Sequence, residues 1–593
     1  MKRRKIMGLA AFGAVASLAL AACGGGSTST GSGGGGSSSS SGSGFNAAVT
    51  GVVNPSNKKT TGTISFGNST TPDSTDPGNT YYAYMWNFTR LYAMPLMTYK
   101  SAPGAAGLQV VPDLATAPGV VGDNGLTWTY HIQPNVKFED GTTVTSADVK
   151  YAIERTFDRG LFPLGPSYYA LLLAPQKPAY PGPYKDRPKN LMGLTAVDTP
   201  NATTIVFHLA HPFADFDYVT AIPQSSPVPP AKDTGANYQL HPMSTGPYKF
   251  QSYSLNKQLT LVPNPHWNPA TDPDVKQLVS KITVTMNMNA NDIDNRLLAG
   301  DLDVDLAGTG VQAAARAKIL SSPSLKASSD DPITGFLWFA YLNTVVKPLN
   351  NVHCRMAIEY AANKVNLQTA YGGPYAGGAI ASTVSPPNVL GHKNFDLYEA
   401  LTKPQGDVAK AKEQLKLCGQ PNGFTTGIAY RSDRPKEVAA ATALQQALSQ
   451  VGIKTMLLGY PAGTYYANFA GVPKYVHQHD LGIDFGGWGS DWPDGYGFLD
   501  FISAGNTISP AGNTNIEELN DPVVNNLISK MAAANNATVR NSYTSQIDMQ
   551  IMKDAGILPE VYSKALLYRS PNLTNVYVQS YYGQYNYAVL GLK

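Results

Sequence analysis

Gly486-Gly487-Trp488-Gly489-Ser490-Asp491-Trp492-Pro493-Asp494-Gly495 follows directly on Leu481-Gly482-Ile483-Asp484-Phe485, whose apolar side chains alternate as along a half-buried strand. The run then breaks into glycines, tryptophans and carboxylates, so a strand is predicted to end in a site. Glycines let a ligand approach backbone N–H and C=O groups, and tryptophans supply large rigid contact area. The Asp491 carboxylate can hold a cation once water is excluded. Taken alone, the same residues also read as a Gly-rich turn with two core tryptophans, and the rest of the chain decides between the two.

At 593 residues the chain exceeds one ordinary core, so two or more lobes are expected. Charged residues make up only 14% and aromatic residues 10%, with 34 tyrosines, which describes a polar, uncharged surface. The formal charge of +3 includes Lys2, Arg3, Arg4 and Lys5. Without those four, 40 basic residues face 41 acidic ones, and neither nucleic acid nor an anionic bilayer is indicated as a partner.

Those four residues form the charged start of a signal segment over residues 1–22, whose apolar stretch from Met7 to Ala22 is short for a membrane span and ends in Leu20-Ala21-Ala22-Cys23. That ending resembles the lipobox of bacterial lipoproteins, in which the cysteine is acylated and becomes the first residue. Cys23 is then the lipid anchor, and acyl methylenes at about 0.8 kcal/mol each on more than one chain give stable anchoring. Gly24 to Gly44 are almost wholly Gly, Ser and Thr, a flexible leash spanning roughly 25 Å, and residues 23–61 are assigned to the tether. Two cysteines remain, Cys354 and Cys418. In an oxidising compartment they are expected to pair, contributing about 4 kcal/mol by loop closure, the alternative being two buried thiols.

Gly62 to Gly67 reads as the first strand of the body. Asn124-Gly125 signals a hairpin turn before the alternating strand Leu126–Ile132, and Thr145 or Ser146 is placed to cap a helix with Val149, Ile153 and Phe157 on its buried face. Phe336 to Asn343 is an aromatic strand-like run. Lys436–Gln450 followed by Ile453–Leu458 gives an α/β alternation.

Several of these motifs, in this order, carry a resemblance: Pro112-Asp113-Leu114-Ala115, then Gly125-Leu126-Thr127-Trp128-Thr129-Tyr130-His131-Ile132, Val136-Lys137-Phe138-Glu139-Asp140-Gly141, Ser244 to Phe250, Asn264-Pro265-His266-Trp267, Cys354 to Ala362 and Gly487-Trp488 with Asp491. The set is similar to the family 5 solute-binding proteins of ABC importers, the peptide-binding group, from about Gly62 to the C-terminus. The resemblance implies an α/β clamshell of the class II periplasmic-binding-protein type, two lobes joined by a hinge. Lobe I with an inserted domain II is expected over 62–335, lobe III over 336–558 and a C-terminal return to lobe I over 559–593. It implies an oligopeptide ligand, permease and ATPase subunits on separate chains, contact with the membrane through the lipid anchor only, no cofactor and a monomer.

By the same resemblance Asp491, four positions after Gly487, receives a peptide α-ammonium, and the backbone of Gly487, Trp488 and Gly489 pairs with an extended peptide. Trp492, Trp338, Phe339 and Tyr341 are candidates to line the cleft. The sequence departs from the family pattern at Phe485, where some relatives carry Arg, at Asp494-Gly495 in place of Asp-Pro, and near Gln133, where an Arg is usual. The partner of a ligand carboxylate is therefore unassigned. A non-peptide solute, such as a metal chelate or saccharide, and the sensing of signalling peptides are alternatives on the same fold.

Other constellations carry less. His477 and His479, read as alternate residues of a strand end, lack a third metal ligand nearby, and Asp301-Leu302-Asp303-Val304-Asp305 lacks the Gly and Glu of a calcium loop and reads as a strand edge. Tyr81, Tyr82, Tyr84, Tyr581, Tyr582, Tyr585 and Tyr587 could stack on sugars. A surface-anchored hydrolase is the alternative of another class, but no nucleophile elbow, zincin helix or phosphate loop can be written.

Overall fold

A computed structural model describes residues 43–186, 193–510 and 512–593. The signal segment, Cys23 and the tether up to residue 42 lie outside the described residues.

Strand β1 (Thr63–Gly67) opens the body. The chain then forms an antiparallel four-stranded sheet from β2 (Val120–Gly122), β3 (Thr127–His131), β4 (Val197–Asn201) and β5 (Thr204–His208), ordered β2-β3-β5-β4. Asp123 and Asn124 adopt positive φ at the β2–β3 turn. Helix Ser146–Arg155 starts as expected: the Thr145 N–H donates to the Asp148 carboxylate at 2.8 Å, and Val149 and Ile153 are fully buried.

Strands β6 (Tyr248–Ser254), β7 (Gln258–Pro263), β8 (Lys281–Thr285) and β9 (Val304–Asp305) join β1 in a five-stranded sheet ordered β9-β1-β8-β7-β6, with β1 parallel to β8 and β9. Asp305 thus lies on an edge strand, and neighbouring Asp303 accepts from the Ser65 N–H at 2.9 Å.

The second half builds a six-stranded sheet from β10 (Ile333–Leu342), β11 (Gly378–Ile380), β12 (Thr425–Arg431), β13 (Lys454–Tyr460), β14 (Leu481–Gly489) and β15 (Ile557–Lys564). Its order is β11-β15-β10-β14-β12-β13. Apolar side chains bury on both faces, Leu337, Phe339 and Tyr341 on one and Ala340, Leu342 and Ile483 on the other. Cys354 and Cys418 are joined by a disulfide that ties helix Val352–Ala361 to the end of helix Val408–Leu417 on one face of this sheet.

Two boundaries shift. The expected limits at 335/336 and 558/559 fall inside β10 and β15, which pair antiparallel with Ile333 opposite Lys564. Below them Ser329–Asp330 pairs with Leu567–Tyr568, so the two crossings between lobes form one continuous ribbon. Residues 44–61, expected as tether, are docked instead. Ala47 and Ala48 are buried, the Asn46 N–H donates to the Ser329 carbonyl at 3.0 Å, the Ala48 N–H donates to Asp330 at 2.9 Å, and Val53 bridges Val576. The short apolar run after Phe45 has no period to announce it, but it has surface to bury. His477 and His479 end a helix (Pro473–Gln478) rather than a strand. His477 pairs with Glu518 at 2.7 Å and His479 stacks on Tyr475.

Candidate functional site

Asp491 lies two residues beyond β14, in the turn before helix Gly495–Ser503. The turn is fixed from within: Ser490 Oγ donates to the Trp492 carbonyl at 2.6 Å, and the Asp494 carboxylate accepts the Tyr496 N–H at 2.8 Å as the helix cap. The Asp491 side chain reaches across to the other lobe. Tyr81 Oη donates to Oδ2 at 2.6 Å, and Tyr168 Oη donates to the same oxygen. Tyr581 Oη donates to the Asp491 backbone carbonyl at 2.5 Å. Burial pushes the Asp491 carboxyl above the usual range, opposed by the hydrogen bonds from Tyr168 and Tyr81.

The tyrosines are themselves held. The Tyr81 N–H donates to Asp73 at 2.6 Å, and the Tyr581 ring stacks on Tyr99 at 3.9 Å. Tyr81 and Tyr581 border a cavity of about 360 Å³ with walls of Tyr82, Trp86, Phe336, Trp488 and Tyr582. Asp491 is the one charged residue in its lining, with no Lys, Arg or His beside it. Trp488, stacked on Phe501 at 4.8 Å, also borders a cavity of about 480 Å³ with Tyr341, Tyr466, Gly487 and Asn513, and a crevice of about 210 Å³ between the lobes.

A second contact spans the cleft. Trp492 is 3% exposed and packs into the core beneath the four-stranded sheet, where its indole N–H donates to Asp215 at 3.1 Å. Arg540 Nε lies 3.3 Å from Asp215 and 3.4 Å from Asp494. Burial and then the Asp494 carboxylate push the Asp215 carboxyl well up, against the pull of the Arg540 guanidinium.

Of the residues singled out from sequence, Trp488, Gly489 and Asp491 meet at the first cavity, and Gly487 and Tyr341 border the second. Trp492 is an interlobe plug that also walls the crevice. Phe339 lies on the same face as Tyr341 but is fully buried against it and borders neither cavity, because the packing around it closes it into the core. Trp338 lies on the opposite face, stacked on Tyr371 at 5.4 Å.

The glycines have a further reason. A Cβ at Gly487 would lie 2.4 Å from Phe336 Cε1, and one at Gly486 2.6 Å from Tyr341 Cε2, so β14 is bare where the rings of β10 lie over it. Gly487 and Gly489 pair with Trp338 and Phe336 along one edge, whereas β12 follows the other edge of β14 only as far as Asp484.

Tyr81, Tyr168 and Tyr581 were not chosen as ligands of Asp491 by sequence. Each is the first residue of a Tyr-Tyr pair, 81–82, 168–169 and 581–582, which is the signal that could have grouped them.

The profile of bacterial extracellular solute-binding proteins, family 5 (middle region), matches residues 109–510. The chain belongs to this family. The probable D,D-dipeptide-binding periplasmic protein DdpA of Escherichia coli K12 is 26% identical over 506 residues, covering 82% of this chain and 86% of that one. The glutathione-binding protein GsiB of Shigella dysenteriae is 24% identical over 468 residues, 77% and 82% of the two chains. Among solved structures, the clavulanic acid biosynthesis oligopeptide binding protein 2 superposes with a TM-score of 0.87 at 38% identity, over 93% of this chain and 99% of that one. DppA of Helicobacter pylori, in complex with peptide STSA, superposes with a TM-score of 0.62 at 22% identity, over 90% and 98%. The family 5 fold is a two-lobed clamshell, and Asp491 stands where its lobes meet.

Proposed function

We propose that this family 5 protein is the lipid-anchored receptor of an ABC importer, capturing oligopeptides at the outer face of the cytoplasmic membrane and passing them to a separate permease. The observation that carries the ligand class is Asp491. Its carboxylate is set in an aromatic cavity with neutral tyrosine donors and no cation, so the ligand is left to supply the positive charge, and a peptide α-ammonium does so. Beyond Asp484 β12 no longer pairs with β14; Tyr465 Oη donates to the Phe485 carbonyl at 3.0 Å, and the main-chain groups further along, at Gly487 to Gly489, are offered to an extended peptide, which explains tolerance of side-chain identity. The names of the relatives, which include dipeptide, glutathione and oligopeptide binders, agree with this class. The anchor rests on Cys23 and the lipobox before it.

Native mass spectrometry of the purified body, followed by denaturation and sequencing of released small molecules, tests the reading. Short peptides of mixed sequence are expected, and free-amino peptides should bind while their N-acetylated forms do not. A metal chelate or saccharide in the cleft, with no binding of added peptides, would overturn the peptide assignment and leave the fold untouched.

A further inference from the structure

The crevice on the far side of Trp488 has a composition different from the cavity at Asp491. Tyr168, Leu172 and Phe213 line it from the first lobe, and Trp488, Trp492 and Phe501 from the other. Asp500, on helix Gly495–Ser503, is the one charged residue in the lining. Among the described residues no salt bridge reaches Asp500, whereas Asp215 and Asp494 share Arg540. Its carboxyl is pushed up to about 6 by burial, with Tyr496 beside it pulling the other way. Aromatic faces around a carboxylate with no resident cation are the chemistry that holds an ammonium or guanidinium group. At about 210 Å³ the crevice is below the size of a typical whole-ligand pocket and suits one long side chain. It adjoins the first cavity directly, because Trp488 walls both and Tyr168, which donates to Asp491, also lines the crevice.

We propose that this crevice is a subsite for a cationic side chain of the bound ligand, lysine or arginine, with Asp500 as its counter-charge and Trp488, Trp492 and Phe501 as its aromatic walls. The inference rests on the peptide reading for its ligand, with the α-ammonium at Asp491 and the side-chain cation at Asp500. Selectivity then arises in the crevice while main-chain pairing remains general.

The test compares tripeptides of alanine carrying one lysine at each position in turn with the same peptides carrying norleucine, which keeps the chain and removes the charge. Calorimetry on the wild-type body should show tenfold or tighter binding for lysine at one position. In Asp500→Asn that preference should vanish while the norleucine peptides bind as before. In Asp491→Asn all the peptides should weaken together. Equal affinity for lysine and norleucine peptides at every position, or a lysine preference that survives Asp500→Asn, overturns the subsite. If no peptide binds, the peptide reading fails by itself, and butylguanidinium alone decides the subsite. Its perturbation of tryptophan fluorescence in the wild type, lost in Asp500→Asn, supports the assignment, and no perturbation overturns it.

Discussion

Tyr81 and Asp491 stand 410 positions apart in the chain and 2.6 Å apart in space, one on each side of the cleft. Tyr168 adds a second hydroxyl from the same side. Both are neutral donors, so they satisfy the carboxylate's hydrogen bonding without cancelling its charge. Asp491→Asn keeps the acceptor and removes the charge. Affinity for free-amino peptides should fall by about 100-fold, which corresponds to roughly 2.7 kcal/mol and lies within the range for breaking a desolvated charge pair. Calorimetry with matched free and N-acetylated peptides checks it. Unchanged affinity for the free-amino form would remove Asp491 from the site.

Acid should weaken the same interaction. In the unliganded protein the Asp491 carboxyl is raised by burial, and a ligand cation would lower it again. Ligand binding therefore releases a proton in the window between the lowered and raised values. Affinity is full above the raised value and falls as pH drops through it, by up to about tenfold per unit. Tyr81, Tyr168 and Tyr581 are the titratable groups facing it, and burial raises all three further above neutrality, so they do not compete in that window. Binding that strengthens on acidification would contradict this.

Much of the architecture was legible in the sequence because it depends on local signals. The Thr145 cap, the Asp123-Asn124-Gly125 turn and the alternation of Leu481 to Phe485 each work over a few residues, and the structure has an element at each place. The spacing of Gly487 and Asp491 pointed to a cleft only through the family resemblance, and Asp491 borders a cavity between the lobes. What surrounds Asp491 was not legible, because Tyr81, Tyr168 and Tyr581 converge on it from 410, 323 and 90 positions away and no periodicity records that. The expected lobe limits fall within β10 and β15 because these strands run on through them without a break in pattern. Phe339 and Tyr341 look alike in sequence and differ only in what packs against each of them.

Cleft closure should depend on Arg540 without any ligand contact. Its guanidinium lies between Asp494 in its own lobe and Asp215 in the other. Arg540→Leu leaves two buried carboxyls facing each other with no counter-charge, a change that costs about 3–5 kcal/mol in buried pairs. The expected result is a more open average shape in small-angle scattering and a ligand off-rate at least tenfold faster. Asp215→Asn keeps an acceptor for the Trp492 indole but removes the charge that Arg540 meets across the cleft, so both quantities should move the same way by a smaller amount, since Arg540 keeps Asp494.

Stability and binding should separate at the disulfide. The bond between Cys354 and Cys418 closes a loop with a sequence separation of 64, and cross-links of that length contribute about 4 kcal/mol by restricting the unfolded chain. Both cysteines belong to helices on the outer side of the six-stranded sheet, and neither lines the cavities around Trp488. Cys418→Ser, measured on the body without Cys23, should therefore lower the denaturation midpoint clearly while leaving peptide affinity within about twofold. A large loss of affinity at a temperature where the variant is still folded would mean that the helix pair positions the cleft, and that the six-stranded sheet does not hold β14 in place unaided.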